Sequence, residues 1–414
     1  MNMNRNTNPA KSKLIPIVAV LAIVVAASVG YLSSSSNRQR SGLSAKSPSS
    51  SVSVSPVSPV VPKADTGPLT SNTVFTVTNY GADPTGLKDS TSAIRSAIAA
   101  AEAVPGSEVY FPAGRYILTQ NLHQLYDFVI NVPVHIVGAG VGATTIVNEV
   151  GAKTAGVMRG TDMFVIQSLN DSTSGGGSGT TIYNMTLDSR SYDAGTSILD
   201  YGNNTVLKNL LVYGPTSMVG YNPDAFGIRV IAICNATNRA NIMRVGNVVD
   251  NVTIIGNGGA GNTELDFSCQ VNSSIDNVNI TGNGMDFYFC RNVQMQNATF
   301  VSVVPRDYSW VITSSHDISM SNITASDNGG VVQNDTADVT SNIAIANEIM
   351  KNRLASIRIG DAQNVSITGS VLGNILLWPS NVLNGVSVSS SQFGRVSCKS
   401  SASVSALVGI NCSS

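Results

Sequence analysis

Charge is what this chain has least of. Lys, Arg, Asp and Glu together are 12% of its 414 residues, and they balance to a formal net charge of −1. That is about half the usual charged fraction of a quarter. Such a balance offers nothing to a nucleic acid or to an acidic-surface partner. Leucine is too sparse for a leucine-rich repeat, and no LxxLxL unit occurs. The spacing of Cys234, Cys269 and Cys290 is no zinc pattern, so they read as buried thiols. What remains in quantity is Asn, Ser, Thr, Val, Ile and Gly. That mix suits short strands joined by tight turns, not helices.

The first 72 residues do not read as globular. Leu14 to Leu32 is an almost uninterrupted apolar run, near the minimum length of a membrane-spanning helix, with Arg5, Lys11 and Lys13 before it. It predicts a cytoplasmic tail (1–13), a transmembrane anchor (14–32) and a single-pass protein of the cell membrane whose body lies outside the cytoplasm. Ala26-Ala27-Ser28 keeps open a cleaved signal peptide, and with it secretion. Residues 33–72, rich in Ser, Pro and Val, cannot bury a core and read as an extended linker. One long domain, 73–414, follows.

A weak unit, apolar-x-Asn-apolar-x-apolar, recurs through that domain at Asn184, Asn209, Asn251, Asn277, Asn297, Asn322, Asn342 and Asn364. A period of about 20 to 26 residues with strand-like content is the mark of a solenoid. Stacked coils set equivalent residues about 4.8 Å apart. The Asn residues then stand where the chain bends, each amide bonding the next coil's. The Asn-x-Ser/Thr triplets among them are by-products of this pattern, not sugar attachment sites. LNGVSV, near Asn384, continues the series one position out of register.

Residues 75–118, FTVTNYGADPTGLKDSTSAIRSAIAAAEAVPGSEVYFPAGRYIL, carry the most specific signal. Asp83-Pro84-Thr85-Gly86 is a turn. Asp89 or Ser90 caps a helix from Thr91 whose apolar stripe is Ile94, Ile98 and Ala101, and Pro105-Gly106 stops it. This segment resembles the opening of the pectate lyase superfamily. The resemblance implies an all-β fold, a right-handed single-stranded parallel β-helix with an N-terminal capping helix, and a polysaccharide as substrate or ligand. Polygalacturonase relatives are echoed only faintly, by Asn222-Pro223-Asp224 and Arg358-Ile359-Gly360, and their Asp-Asp and Gly-His-Gly are missing.

Stacking turns spacing into geometry. With Asn277 and Asn297 equivalent, Asp266 and Asp286 fall on neighbouring coils, in the matching words Leu-Asp-Phe and Met-Asp-Phe. The same count puts Arg306 next in the column and Tyr288 and Tyr308 beside it, provided that the five extra residues of that coil follow Arg306. Phe267 and Phe287 point inward, and the Asp and Tyr side chains outward. Asp224 and Arg229 are candidates to line the same groove. Cys269 and Cys290 are one position out of phase. His316 and Arg291 share a corner, which makes His316 a fold residue rather than an acid/base. Cys398 and Cys412 bracket the last segment and form the expected disulfide.

These residue types suit two chemistries. In a lyase, Asp266 and Asp286 hold Ca²⁺ against a uronate, and Arg306, by resemblance to pectate lyases, takes the proton beside its carboxyl group. In a glycosidase, one carboxylic acid protonates the leaving oxygen and the other attacks or activates water. Tyr288 and Tyr308 are sugar-stacking platforms in either case. The sequence therefore predicts an extracytoplasmic protein that cleaves an acidic polysaccharide by β-elimination. A hydrolase, a uronate epimerase and a non-catalytic glycan-binding solenoid stand as alternatives.

Overall fold

The structure is a computed structural model. It describes residues 73–119, 126–149, 162–166, 176–190, 195–215, 226–232, 243–256, 263–303, 308–326, 328–334, 339–378, 382–399 and 403–411. The expected tail, anchor and linker (1–72) lie outside these residues. Among the described residues no helix is long and apolar enough to cross a membrane. The expectation of a single-pass membrane protein is corrected accordingly.

The chain opens with the predicted turn and helix. Asp83 accepts hydrogen bonds from the backbone N–H groups of Thr85, Leu87 and Lys88 and from the Thr85 hydroxyl. These bonds, the Thr85 hydroxyl first, lower its carboxyl to about 2. The helix, α1, spans Thr91–Glu102. Of the two expected caps Asp89 does the work: its Oδ1 accepts from the Thr91 N–H at 3.1 Å and the Thr91 hydroxyl at 2.6 Å. Ser90 instead accepts from the Asp83 N–H. Ile94, Ala97, Ile98 and Ala101 are buried in the same apolar cluster as the first strands. The helix thus closes the first coils against water, as a cap does in any solenoid.

From there the chain winds in parallel coils. Every strand pairing is parallel and joins one coil to the next. Among the described residues the strands form an eighteen-stranded sheet and an eleven-stranded sheet. Inward positions make one continuous apolar core. Phe267 and Phe287 stack within it edge to face, with ring centroids 6.3 Å apart. Trp310 is fully buried and lies over Gly330, where a Cβ would come within 2.0 Å of the indole.

The asparagine ladder exists, but it is two ladders. All eight predicted Asn residues have φ between +50° and +60°, a left-handed conformation that Asn tolerates and β-branched residues do not. Asn209 donates to Asn184 at 3.0 Å, Asn251 to Asn209 at 2.7 Å, Asn297 to Asn277 at 3.3 Å and Asn322 to Asn297 at 3.0 Å. The next step goes to Asn347, which donates to Asn322 at 3.2 Å. Asn342 and Asn364 belong to a second corner. There Asn292 donates to Asn272, Asn342 to Asp317 and Asn364 to Asn342. The 20-residue interval from Asn322 to Asn342 mimics the repeat but crosses between corners. Gly385, at φ +73°, explains the slipped register at LNGVSV: its missing Cβ makes room for the Asn364 amide oxygen, 2.8 Å from where it would stand.

Cys290 is a free, buried thiol, pushed up to about 12 by burial. Cys269 is disulfide-bonded, which corrects its reading as a buried thiol. It stands opposite Phe289, one position out of phase with Cys290, as the spacing predicts. Cys398 is disulfide-bonded, and Cys412, the partner expected for it, lies outside the described residues.

Candidate active site

The eleven-stranded sheet turns alternate side chains away from the interior. One outward column runs Val165, Leu199, Arg229, Asp266, Asp286, Val311, Val331, Arg358 and Leu376. Three consecutive coils break its apolar run with charge, and they define the site. The predicted neighbours Asp266 and Asp286 are register partners on the strands Leu265–Ser268 and Met285–Tyr288.

Arg229 stands on the other side of Asp266. Its Nε donates to Asp266 Oδ2 at 3.0 Å, and its guanidinium lies 4.2 Å from the centroid of the Phe226 ring. The Ser268 hydroxyl donates to Asp266 Oδ1. Asp266 is therefore the charged member of the pair, buried, ion-paired and held at both oxygens. Asp286 is different. Burial first, and the Asp266 carboxylate beside it second, raise its carboxyl to about 7. Two carboxyl groups on adjacent coils cannot both ionise cheaply, and the one without the arginine keeps the proton. Divergent environments of this kind separate an acid from its ionised partner.

Glu264 is the residue that sequence reasoning missed. It is buried, and its Oε2 accepts from the Asn283 N–H at 2.7 Å. A Cβ at Gly256 or Gly282 would lie 1.8 or 1.9 Å from its Oε1. The carboxylate thus occupies space that two glycines leave open. It ties the turn ahead of Asp286 to the strand that carries Asp266. The Gly-Asn-Gly turns at 256–258 and 282–284 were the available signal, because glycine recurs where another group must approach the backbone.

The other predicted site residues separate. Val311, not Arg306, is the register partner of Asp286, and Thr313, not Tyr308, is that of Tyr288. The five extra residues of that coil come before its strand, and Arg306 itself lies outside the described residues. Asp224 does too; the position next to Asp266 belongs to Arg229. Tyr288 stays with the pair, beside Ser268, its ring 4.2 Å from that of Phe289. Tyr308 belongs to another cluster, where the Arg358 guanidinium lies 5.1 Å from its ring centroid. His316 is a corner residue in register with Arg291, and its Nδ1 lies 2.8 Å from the Ser341 hydroxyl.

Among the described residues the donor set does not make up a calcium site. The ion takes six to eight oxygen ligands, while both oxygens of Asp266 are engaged by Arg229 and Ser268. Among the described residues no group of three or more His, Cys, Asp or Glu could hold a metal ion.

Comparison with known proteins places this geometry in a class. The profile of the family described as rhamnogalacturonase A/epimerase, pectate lyase-like, matches residues 74–374. This chain belongs to that family of pectate lyase-like parallel β-helices. Among individual relatives, the mannuronan C5-epimerase AlgE1 of Azotobacter vinelandii is 42% identical over 74 residues, which are 17% of this chain and 5% of that protein. The mannuronan C5-epimerase AlgE2 of the same organism is 42% identical over 74 residues, 7% of its length. Among solved structures, the A-module of the epimerase AlgE6 of Azotobacter vinelandii aligns with 81% of this chain and 98% of its own at 13% identity, with a TM-score of 0.48. ORF18 of Geobacillus virus E2 covers 79% of this chain and 61% of its own at 13% identity, with a TM-score of 0.49.

Proposed function

We propose that this protein hydrolyses an acidic polysaccharide, with Asp286 as general acid. The observation that carries the reading is the asymmetry of the pair: Asp266 is bound to Arg229, while Asp286 is raised to about 7 with no cation beside it in the register. In the step derived from it, Asp286 gives its proton to the glycosidic oxygen as the bond from that oxygen to the anomeric carbon breaks. Asp266 faces the positive charge that develops at that carbon. Neighbouring coils are about 4.8 Å apart, close to the roughly 5–5.5 Å separation of the carboxyl groups in retaining glycosidases. Asp266 is then the nucleophile, and water completes the exchange once Asp286 has become the base. Tyr288, two residues along the same strand, offers a ring to the sugar.

The family's description and relatives named for mannuronan support the sugar class. The same names favour a second reading, β-elimination or epimerisation. Both begin by removing the proton beside the uronate carboxyl group. Val311 rather than a base is the register partner of Asp286, which gives that reading less support than hydrolysis.

One assay separates the reactions. The purified protein is incubated with a panel of uronate polymers while new reducing ends, ultraviolet absorbance of unsaturated ends and sugar configuration by proton magnetic resonance are followed. Hydrolysis gives reducing ends without new absorbance. Absorbance would replace it by elimination, and a changed configuration without cleavage by epimerisation. Retention on the polymers with none of the three would reduce the protein to a glycan-binding solenoid.

A further inference from the structure

The outer face of the eleven-stranded sheet carries a second constellation. Arg358 stands in the Asp286 column three coils further on, through Val311 and Val331. At about 4.8 Å per coil this is about 14 Å along the stack. Trp378 lies one coil beyond, its backbone N–H donating to the Ile359 carbonyl at 2.8 Å, and Lys399 one beyond that, its backbone N–H donating to the Leu377 carbonyl at 3.0 Å. The side chains converge. The Trp378 ring centroid lies 3.8 Å from Lys399 Nζ and 5.2 Å from the Arg358 guanidinium carbon. The Tyr308 ring centroid lies 5.1 Å from the same guanidinium carbon.

Three features mark this cluster as open to a ligand. Trp378 is 39% exposed, whereas Trp310, the chain's other tryptophan, is fully buried. Among the described residues neither Arg358 nor Lys399 has a carboxylate partner. Arg358 Nε is buried without a hydrogen-bond acceptor. A cation on an exposed aromatic face gains only modestly from it, and that contact leaves its hydrogen-bond donors unmet. Two such cations within reach of one indole offer charged donors to an anion.

We infer that Arg358, Trp378 and Lys399 form a binding site for an anionic sugar unit of a polysaccharide. The carboxylate or sulfate of that unit bridges the two cations, and the ring covers the exposed part of the indole. The site rests on the polysaccharide reading for its occupant, but not on the chemistry of Asp286. It lies on the face that carries Asp266 and Asp286, so a glycan following the stack reaches both.

The test is a fluorescence titration of the full chain carrying Asp286→Asn, so that no polymer is cut. Because Trp310 is buried, a ligand-induced change in tryptophan emission reports on Trp378. Polygalacturonate, alginate, a sulfated galactan and a neutral galactan are compared. The acidic polymers are expected to change the emission saturably and with marked salt dependence, and the neutral one to leave it unchanged. Preference between uronate and sulfate assigns the anion. Trp378→Phe abolishes the signal, and Arg358→Gln with Lys399→Gln weakens binding at least tenfold. Should that double variant melt early, the exposed Lys399→Gln alone weakens binding about threefold. Equal binding of the neutral polymer, or unchanged affinity in a folded charge variant, overturns the site. Loss of turnover by Asp286→Asn with binding intact separates this outcome from failure of the hydrolase reading.

Discussion

The corners of this β-helix and its outer face obey different rules. At the corners each coil repeats the last: a left-handed Asn, an amide bonded to its neighbour, apolar residues on either side. Asn184, Asn209 and Asn297 are interchangeable in role, and the register can be counted. On the outer face the character of the column changes along the stack. Arg229, Asp266, Asp286 and Val311 occupy one column in succession. The segments feeding these strands differ in length, and the register changes with them. The corners hold the fold, and the face, freed from holding it, carries the chemistry.

Substitutions should respect that division, and the largest effect is expected on the face. Asp286→Asn should lower turnover by about 10²–10⁴, the usual contribution of a general acid, while the melting temperature is kept or raised, because a buried acid is removed. The wild-type pH profile should lose activity as pH rises through about 7, where Asp286 gives up its proton. Unchanged turnover in a folded Asp286→Asn protein would erase the distinction between face and corner.

The interior offers an intermediate case. Glu348 is fully buried: its Oε1 accepts from the Trp310 indole N–H at 3.0 Å, and its Oε2 has no partner. Burial raises it from 4.5 to about 7. A carboxyl whose folded value exceeds its unfolded one stabilises the fold fully below the unfolded value and loses that contribution as pH rises through the folded value. Glu348→Gln keeps the acceptor for Trp310 and removes the titration. It should lessen the fall in stability between about pH 4.5 and 7 by on the order of 3 kcal/mol, as measured by urea unfolding across that range. An equal decline in both proteins would assign the dependence to Asp200 and Asp286, which burial also raises to about 7.

The corners should yield smaller and purely structural effects. Asn297→Ala leaves a residue without the local amide at φ +56° and removes the bonds donated to Asp276 and Asn277 and accepted from Asn322. The cost should be about 1–2 kcal/mol, read as a lower urea midpoint with activity per folded molecule unchanged. Asn297→Gly should cost less, because glycine accepts the conformation. Activity falling in proportion at the corner would mean that the ladder positions the site as well as the coil.

How much was legible in the sequence follows from the same contrast. Asp266 and Asp286 could be paired by counting because their coils, 20 residues apart, belong to the regular stretch. Phe267 and Phe287 followed by alternation, and the capped helix from its local signals. Arg306 was misplaced because an insertion can precede or follow a strand, and spacing alone does not distinguish the two. Arg229 was a candidate to line the groove and not the ion-pair partner of Asp266, since its coil is 37 residues from the next and no motif marks the register. Asn342 shows the opposite failure, a spacing that fits the period and belongs to another corner. Glu264 left its trace only in the glycines that make room for it.

The central claim is that one proton sits on Asp286 while Asp266 is paired with Arg229. Carbon-13 magnetic resonance of aspartate-labelled protein, with Asp286→Asn to assign the signal, measures it directly. The account predicts an Asp286 carboxyl that titrates near pH 7. A carboxyl that ionises near 4, like an ordinary surface aspartate, would contradict it.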